Sequence, residues 1–203
     1  MTMLFRLLTP ILLCAAFAAA QKPKTDPAES WDRLYASRDA KVPVNPSAIV
    51  LETTANLPPG TALDIGMGNG RNAVYLARKG WKVTGIDASR EAVKLATAEA
   101  HKLNTTVEGV VANFEIYDPG RGKYDLILCT YAASLASAQS RKILEALKPG
   151  GLLIVEGSEF QPNQLLRTYG KLRVLRYEDR VDRAEWANGG ESRTQVFRLV
   201  ARK

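Results

Sequence analysis

Three glycines at alternate positions, Gly66, Gly68 and Gly70, follow a short apolar run and lie between two acids, Asp64 and Asp87. Glycines at that spacing build a turn in which the backbone can come close to a nucleotide, because they accept positive φ and carry no Cβ to keep a ligand away. An acid about twenty residues beyond such a turn can accept hydrogen bonds from both hydroxyls of a ribose. Two better-known phosphate loops are excluded by spacing. The third glycine of a G-x-G-x-x-G dinucleotide fingerprint would fall on Arg71, and no Lys-Ser or Lys-Thr follows as a Walker A loop requires.

These residues need a strand before the loop and a helix after it. Ala62, Leu63 and Ile65 supply a buried strand, and a helical pattern begins at about Asn72, with Ala73, Leu76 and Ala77 on its apolar face and Gly80 at its end. Residues 81–86 read as a second strand leading to Asp87 and Ala88, with Ser89 as the cap of the next helix. Residues 106–112, 124–129 and 152–155 are three further strands. A helix containing Ile143, Leu144 and Leu147 precedes the last of them, which is entered through Lys148-Pro149-Gly150-Gly151. A short helix is expected at 164–169, and two closing strands at 172–177 and 195–201. The charged stretch 178–192 between these strands ends in the turn signal Asn188-Gly189-Gly190. Strands alternating with helices make a doubly wound α/β sheet, with an antiparallel hairpin at its end.

Two helices stand in front of this core. The first is announced by Asp26-Pro27 and carries Trp31, Leu34 and Tyr35 on one face; the second starts at Asn45-Pro46 and runs to about Ala55. The aromatic face is either a packing stripe or a flap that closes over a ligand.

The chain has 203 residues, 46% hydrophobic and 24% charged, which suits one well-buried domain. Its formal charge of +7 is scattered, with no Lys/Arg block of the kind an RNA-binding arm carries, so nucleic acid is disfavoured as a partner. His101, the single histidine, reads as a solvated cation at a helix end, and no cluster has metal-ligand spacing. Residues 1–20 contain Arg6, an apolar run from Leu7 to Ala19 broken at Thr9, and the small residues Ala18-Ala19-Ala20. That is the layout of a secretory signal peptide, too short for a stable span. The expected organisation is a leader at 1–20 and one domain at 21–203, with helices in 26–57 and the core in 61–203. If the leader is cleaved, the chain is exported to a periplasm or secreted, has no stable membrane span, and keeps Cys129 as its only thiol. If it is not cleaved, the chain is membrane-anchored or cytoplasmic.

Four features in order, Asp64-Ile65-Gly66-Met67-Gly68-Asn69-Gly70, Asp87, Tyr124-Asp125-Leu126-Ile127 and Pro149-Gly150-Gly151, resemble the class I S-adenosylmethionine-dependent methyltransferases. The wording Gly-Arg-Asn-Ala after the loop and Lys-Gly-Trp before the second strand is similar to small-molecule enzymes of the tellurite-resistance and thiopurine type. The resemblance implies a Rossmann-like, seven-stranded, mostly parallel sheet with a C-terminal antiparallel hairpin. It implies S-adenosylmethionine as cofactor and transfer of its methyl group to a small-molecule acceptor. An RNA or protein methyltransferase, or an exported binding protein that kept the fold and lost catalysis, are the alternatives.

By the same resemblance Asp64, Gly66, Met67, Gly68, Asn69, Gly70, Asp87, Ala88, Asn113 and Phe114 surround the cofactor. Asp64 would meet its ammonium and Asp87 its ribose. Asn113 stands where the family usually has an acid reading the adenine amino group; its amide oxygen can still accept that bond. Phe114 either lies on the adenine face or belongs to the core. Tyr131, Glu156 and Glu159 fall on the correct side of the sheet for a general base, though a thiol or selenol acceptor needs none. No Asn/Asp-Pro-Pro-Tyr follows the fourth strand, where Cys129-Thr130-Tyr131-Ala132 stands instead, which argues against DNA adenine methylation.

Overall fold

In the computed structural model, residues 27–37, 42–186 and 193–203 are described. The proposed leader, Asp26 and the turn Asn188-Gly189-Gly190 lie outside them. Seven strands form one sheet: β1 (Thr61–Ile65), β2 (Lys82–Asp87), β3 (Val107–Val111), β4 (Tyr124–Thr130), β5 (Leu147–Gly157), β6 (Arg173–Arg183) and β7 (Arg193–Arg202), in the order β3-β2-β1-β4-β5-β7-β6. The first five pair in parallel, and β7 runs antiparallel to both β5 and β6. This is the mostly parallel sheet with a closing hairpin that the motifs imply.

Helices cover both faces. On one side α2 (Ala48–Thr54), α3 (Arg71–Arg78) and α4 (Arg90–Lys102) bury Ile49, Val50, Ala73, Leu76, Ala96 and their neighbours against the sheet. On the other, α5 (Ala133–Ala138), α6 (Ser140–Ala146) and α7 (Gln164–Tyr169) enclose a core that contains Leu63, Ile127, Val155, Phe114 and Phe197. Each central strand is apolar on both faces, as a doubly covered parallel strand must be. Cys129 is free and buried in this core, and its burial pushes the thiol above its ordinary range. Among the described residues no helix is long and apolar enough to cross a membrane.

Three boundaries differ from the sequence expectation, each for a physical reason. The second helix begins at Ala48, not at Asn45-Pro46, because side chains of α3 claim the backbone just before it. The Asn45 carbonyl accepts from Arg71, and the Ser47 N–H donates to Asn72 Oδ1 at 2.9 Å. The helix expected to hold Ile143 through Leu147 breaks at Gln139 into α5 and α6, and Leu147 already belongs to β5, paired with Tyr124. Finally, β6 continues to Arg183, through residues that read as a charged connection. Its alternate residues Arg176, Glu178, Arg180 and Asp182 are held by ion pairs, so charge takes the place of apolar alternation.

Candidate functional site

The glycine loop is fixed first by its own backbone. The N–H groups of Gly66 and Met67 donate to the Ile86 carbonyl at 2.8 and 3.0 Å, which ties the end of β1 to the end of β2. Gly68 and Gly70 both take positive φ. A Cβ at Gly70 would sit 2.5 Å from that of Ala96, so the glycine lets α3 approach α4; one at Gly68 would collide with the Tyr35 hydroxyl. Met67 turns its side chain under the loop into the core beside Gly85, leaving only its backbone toward the cleft. Asn69 reaches the other way and donates to the Pro43 carbonyl at 2.8 Å.

The two predicted acids lie on either side of this loop in different states. Asp87 accepts the Gly68 N–H on one carboxylate oxygen and the Ser89 N–H on the other, both at 2.9 Å. Each oxygen keeps a lone pair, which suits two ribose hydroxyls. Burial raises its pKa, and these N–H groups oppose that. Asp64 is fully buried, and neither of its oxygens has a hydrogen-bond partner. Burial lifts its pKa to about 7, although Arg71 and the Ala73 N–H are near enough to pull it down and Asp87 pushes the same way as burial. A buried carboxyl with no donor is costly unless a ligand completes it. A cofactor ammonium is the right chemistry for that oxygen pair, so the loop and both acids fit S-adenosylmethionine.

Ala88 sits half-buried at the turn after Asp87. Asn113 is exposed, and its amide oxygen accepts the N–H of Glu115 at 2.8 Å, leaving one lone pair for an adenine amino group. Phe114 is buried at 2% exposure among core residues, under Lys142.

A second group of residues closes the carboxyl ends of the strands. The helix α1 (Pro27–Ala36) packs on the start of α4, where Asp32 Oδ1 accepts from Ser89 Oγ at 2.6 Å and from the Glu91 N–H at 3.1 Å. Ser89 in turn caps α4 through the Ala92 N–H, as the sequence suggested. From α1, Tyr35 is buried over the loop and Trp31 is 42% exposed. Both rings meet Trp186, which follows β6, and the three centroids are 6.3 to 6.4 Å apart. The aromatic stripe therefore packs over the glycine loop and against Trp186.

Glu185, next to Trp186, is a three-way anchor. Its N–H donates to Tyr131 Oη at 2.8 Å, and its carboxylate accepts the Ala48 N–H at 3.0 Å and pairs with Arg71 at 3.2 Å. Arg71 lies over the Tyr131 ring, and Asn72 donates to Thr130 Oγ1 at 3.1 Å. Sequence reasoning missed Asp32, Arg71, Asn72, Glu185 and Trp186 as parts of the site. The Gly-Arg-Asn wording held two of them, but nothing local marks the other three.

The three base candidates separate. Tyr131 holds a positive φ just past β4, and burial with the nearby charges of Glu156 and Glu185 pushes its phenol above the ordinary range. Glu156 is wholly buried and receives Arg198 Nε at 2.7 Å. Its pKa is raised by burial and by Glu185, against the pull of Arg198. Thr130, Glu156, Arg198 and Glu178 stand in one register row across four strands, which makes Glu156 part of the sheet's polar frame. Glu159 is exposed on the loop beyond β5.

Residues 62–151 match the family model described as a methyltransferase domain. The ribosomal RNA small subunit methyltransferase C of Alcanivorax borkumensis is 32% identical over 103 residues, covering 47% of this chain and 31% of that protein. The chain spans about a third of the length of the first curated relatives it matches. Among solved structures, the N-methyltransferase NodS of Bradyrhizobium japonicum, in complex with S-adenosylhomocysteine, superposes with a TM-score of 0.68 at 14% identity, covering 87% of this chain and 97% of its own. TehB of Haemophilus influenzae gives 0.67 at 19% identity, covering 77% and 62%. At these identities the likeness is one of fold, and the fold is that of the S-adenosylmethionine-dependent methyltransferases.

Proposed function

We propose that the chain, with a methyltransferase domain over residues 62–151 and the fold of the S-adenosylmethionine-dependent enzymes, transfers a methyl group to a small-molecule acceptor. The observation that carries this reading is the cover over the strand ends. Helix α1, residues 42–47 and residues 184–186 meet there through Asn69, Arg71, Asn72 and Glu185, and three aromatic rings close the middle. Such a cover suits a compact acceptor better than a broad macromolecular surface.

When bound, S-adenosylmethionine supplies a methyl group already activated on a sulfonium, so the protein's work is placement and exclusion of water. In this reading Asp64 binds the ammonium, Asp87 the ribose hydroxyls, and the glycine loop brings its backbone close to both. Trp31, Tyr35 and Trp186 shield the reacting centre. Tyr131 holds its proton, and Glu156 is committed to Arg198, so neither is a strong base. The acceptor then brings its own nucleophile, as a thiol or selenol does. The chain covers about a third of the relatives named for ribosomal RNA and ribosomal protein, and their acceptors are not carried across.

The test begins with thermal unfolding in the presence of S-adenosylmethionine and S-adenosylhomocysteine. Ligand at 100 times its dissociation constant should add about 2.7 kcal/mol of stability. Release of S-adenosylhomocysteine is then followed with small thiols, selenols and amines, and in parallel with ribosomes and RNA. Turnover with small acceptors supports the reading, whereas turnover confined to ribosomes or RNA overturns it. We also propose that residues 1–20 direct export, which N-terminal sequencing of protein recovered from the periplasm or medium would test.

A further inference from the structure

At the carboxyl ends of β4 and β5, on the far side of β1 from Asp87, two buried polar atoms stand unused. Glu156, near the end of β5, is wholly buried; its Oε1 receives Arg198 Nε at 2.7 Å, and its Oε2 has no partner. Ser47, just before α2, is equally buried, and its Oγ has no partner either. Serine there is a preferred helix cap. This hydroxyl makes no cap bond; it lies close enough to the Glu156 carboxyl to favour its charge, yet stops short of bonding it. The end of β4 supplies the wall between them. Thr130 is the register partner of Glu156, the Tyr131 N–H donates to the Glu156 carbonyl at 2.7 Å, and Asn72 links the Ser47 N–H to Thr130 Oγ1.

The charges leave this corner short of a cation. Glu156, Glu178 and Asp182 all converge on the guanidinium of Arg198, whose side chain is 7% exposed. Glu178 and Asp182 pair with Arg180 as well, whereas among the described residues Glu156 pairs with Arg198 alone and also feels the charge of Glu185. A buried carboxylate with one oxygen bare is a cost that a folded chain normally avoids. Completing both Glu156 Oε2 and Ser47 Oγ takes a donor with at least two hydrogens, and a positive charge suits the carboxylate. A hydroxyl offers one hydrogen. A protonated amine offers three and carries the charge.

We propose that Glu156 and Ser47 form an anchor for an ammonium group on the acceptor, which is therefore an aminothiol or aminoselenol, held by its nitrogen and methylated on its sulfur or selenium. The inference rests on the small-molecule methyltransferase reading and narrows its acceptor class. Both are positioning residues, since neither touches the reacting atoms. In the transfer, a lone pair of the acceptor's sulfur or selenium forms the new bond to the methyl carbon. The bond from that carbon to the sulfonium breaks, its pair stays on the cofactor sulfur, and the thiol or selenol proton goes to solvent.

Steady-state kinetics on the full chain with S-adenosylmethionine tests the anchor. The probes are short thiols in matched pairs, one ending in a primary amine and its twin in a hydroxyl; cysteamine and 2-mercaptoethanol are the shortest pair. Rates are referred to thiolate concentration, because an ammonium also acidifies a nearby thiol. The best amine is expected to exceed its twin in kcat/KM by roughly tenfold or more, the effect of a charge-assisted bond, with KM carrying the difference. Glu156→Gln should shrink that preference to about threefold or less. Ser47→Ala should shrink it by a smaller factor without lowering thermal stability, having no cap bond to lose, and it decides if Glu156→Gln does not fold. Mass spectrometry should find the methyl group on sulfur. Equal kcat/KM for the twins overturns the anchor and leaves the small-molecule reading in place, as does a preference that survives both substitutions. Methylation on nitrogen also overturns it, because the amine would then be the reacting group. Turnover of neither series removes the anchor, and turnover of ribosomes or RNA in their place removes the small-molecule reading as well.

Discussion

The floor of the site and its cover are built by different means. The floor, from β1 through the glycine loop to Asp87 and Ser89, is tied by contacts between residues near in sequence: Gly68 and Asp87 are 19 positions apart, Asp87 and Ser89 only 2. The cover is tied by side chains that span the chain, with 114 positions between Arg71 and Glu185 and 137 between Ala48 and Glu185. A floor made of local backbone turns is set by short stretches of sequence and can stay the same while the rest of the site changes. A cover made of distant side-chain contacts is free to vary, and substrate choice belongs with it.

Breaking the floor should cost most. Gly70→Val places a branched side chain at a φ of 79° and against Ala96, and is expected to destabilise by about 3 kcal/mol or more, combining backbone strain with overpacking. Chemical denaturation measures this directly. A variant as stable as the parent would mean that the loop is softer than its geometry implies.

The next effect has opposite signs for stability and binding. Asp64 has a pKa raised to about 7 in the folded chain, so the fold prefers its protonated form. Stability of the ligand-free protein should therefore decline as pH rises from about 4, where the carboxyl titrates when unfolded, to about 7. Arg71 facing it from α3 softens this slope, Asp87 from β2 steepens it, and Tyr35 over the loop and Cys129 from β4 stay neutral through the window. Asp64→Asn should remove its share of the slope, leaving that of Asp87 and Glu156, whose pKa values burial also raises, and stabilise the ligand-free chain at pH 8 by on the order of 2 kcal/mol. The same change should weaken cofactor binding about tenfold or more, and in the parent that binding should fade as pH drops below 7. Denaturation and calorimetry across pH read both trends, and a flat stability profile would contradict the buried, unpaired state of Asp64.

The smallest effect on the fold belongs to the cover. Glu185→Gln keeps the shape but weakens the pair with the buried Arg71; its amide oxygen can still accept from the guanidinium, so the loss of stability should be about 1 kcal/mol. Its expected consequence is a higher KM for the acceptor at nearly unchanged affinity for S-adenosylhomocysteine. Equal loss of both would show that cover and floor are not separable.

This contrast also explains what could be read in advance. The alternation of strands and helices, the glycine loop, Asp87, and Ser89 as a cap all lie within short windows, where spacing alone restricts the geometry. The extension of β6 to Arg183 was hidden because its pattern is one of charges matched to Arg198 on another strand. Asp32, Glu185 and Trp186 carry no local signature, since each is defined by a partner brought near only by the fold. Phe114 was ambiguous because an aromatic after a strand can turn either way, and only the fold shows it packed among core residues under Lys142.

The aromatic trio also gives the protein an optical property. Of its three tryptophans, Trp31 and Trp186 face each other at the mouth of the cleft, and Trp81 is buried at the far end of α3. Indole emission shifts in colour and intensity with hydration, and two of the three indoles of this chain stand at the site's own doorway. Traffic through that doorway should be visible in the emission spectrum without any attached dye, with Trp81 as a steady internal standard.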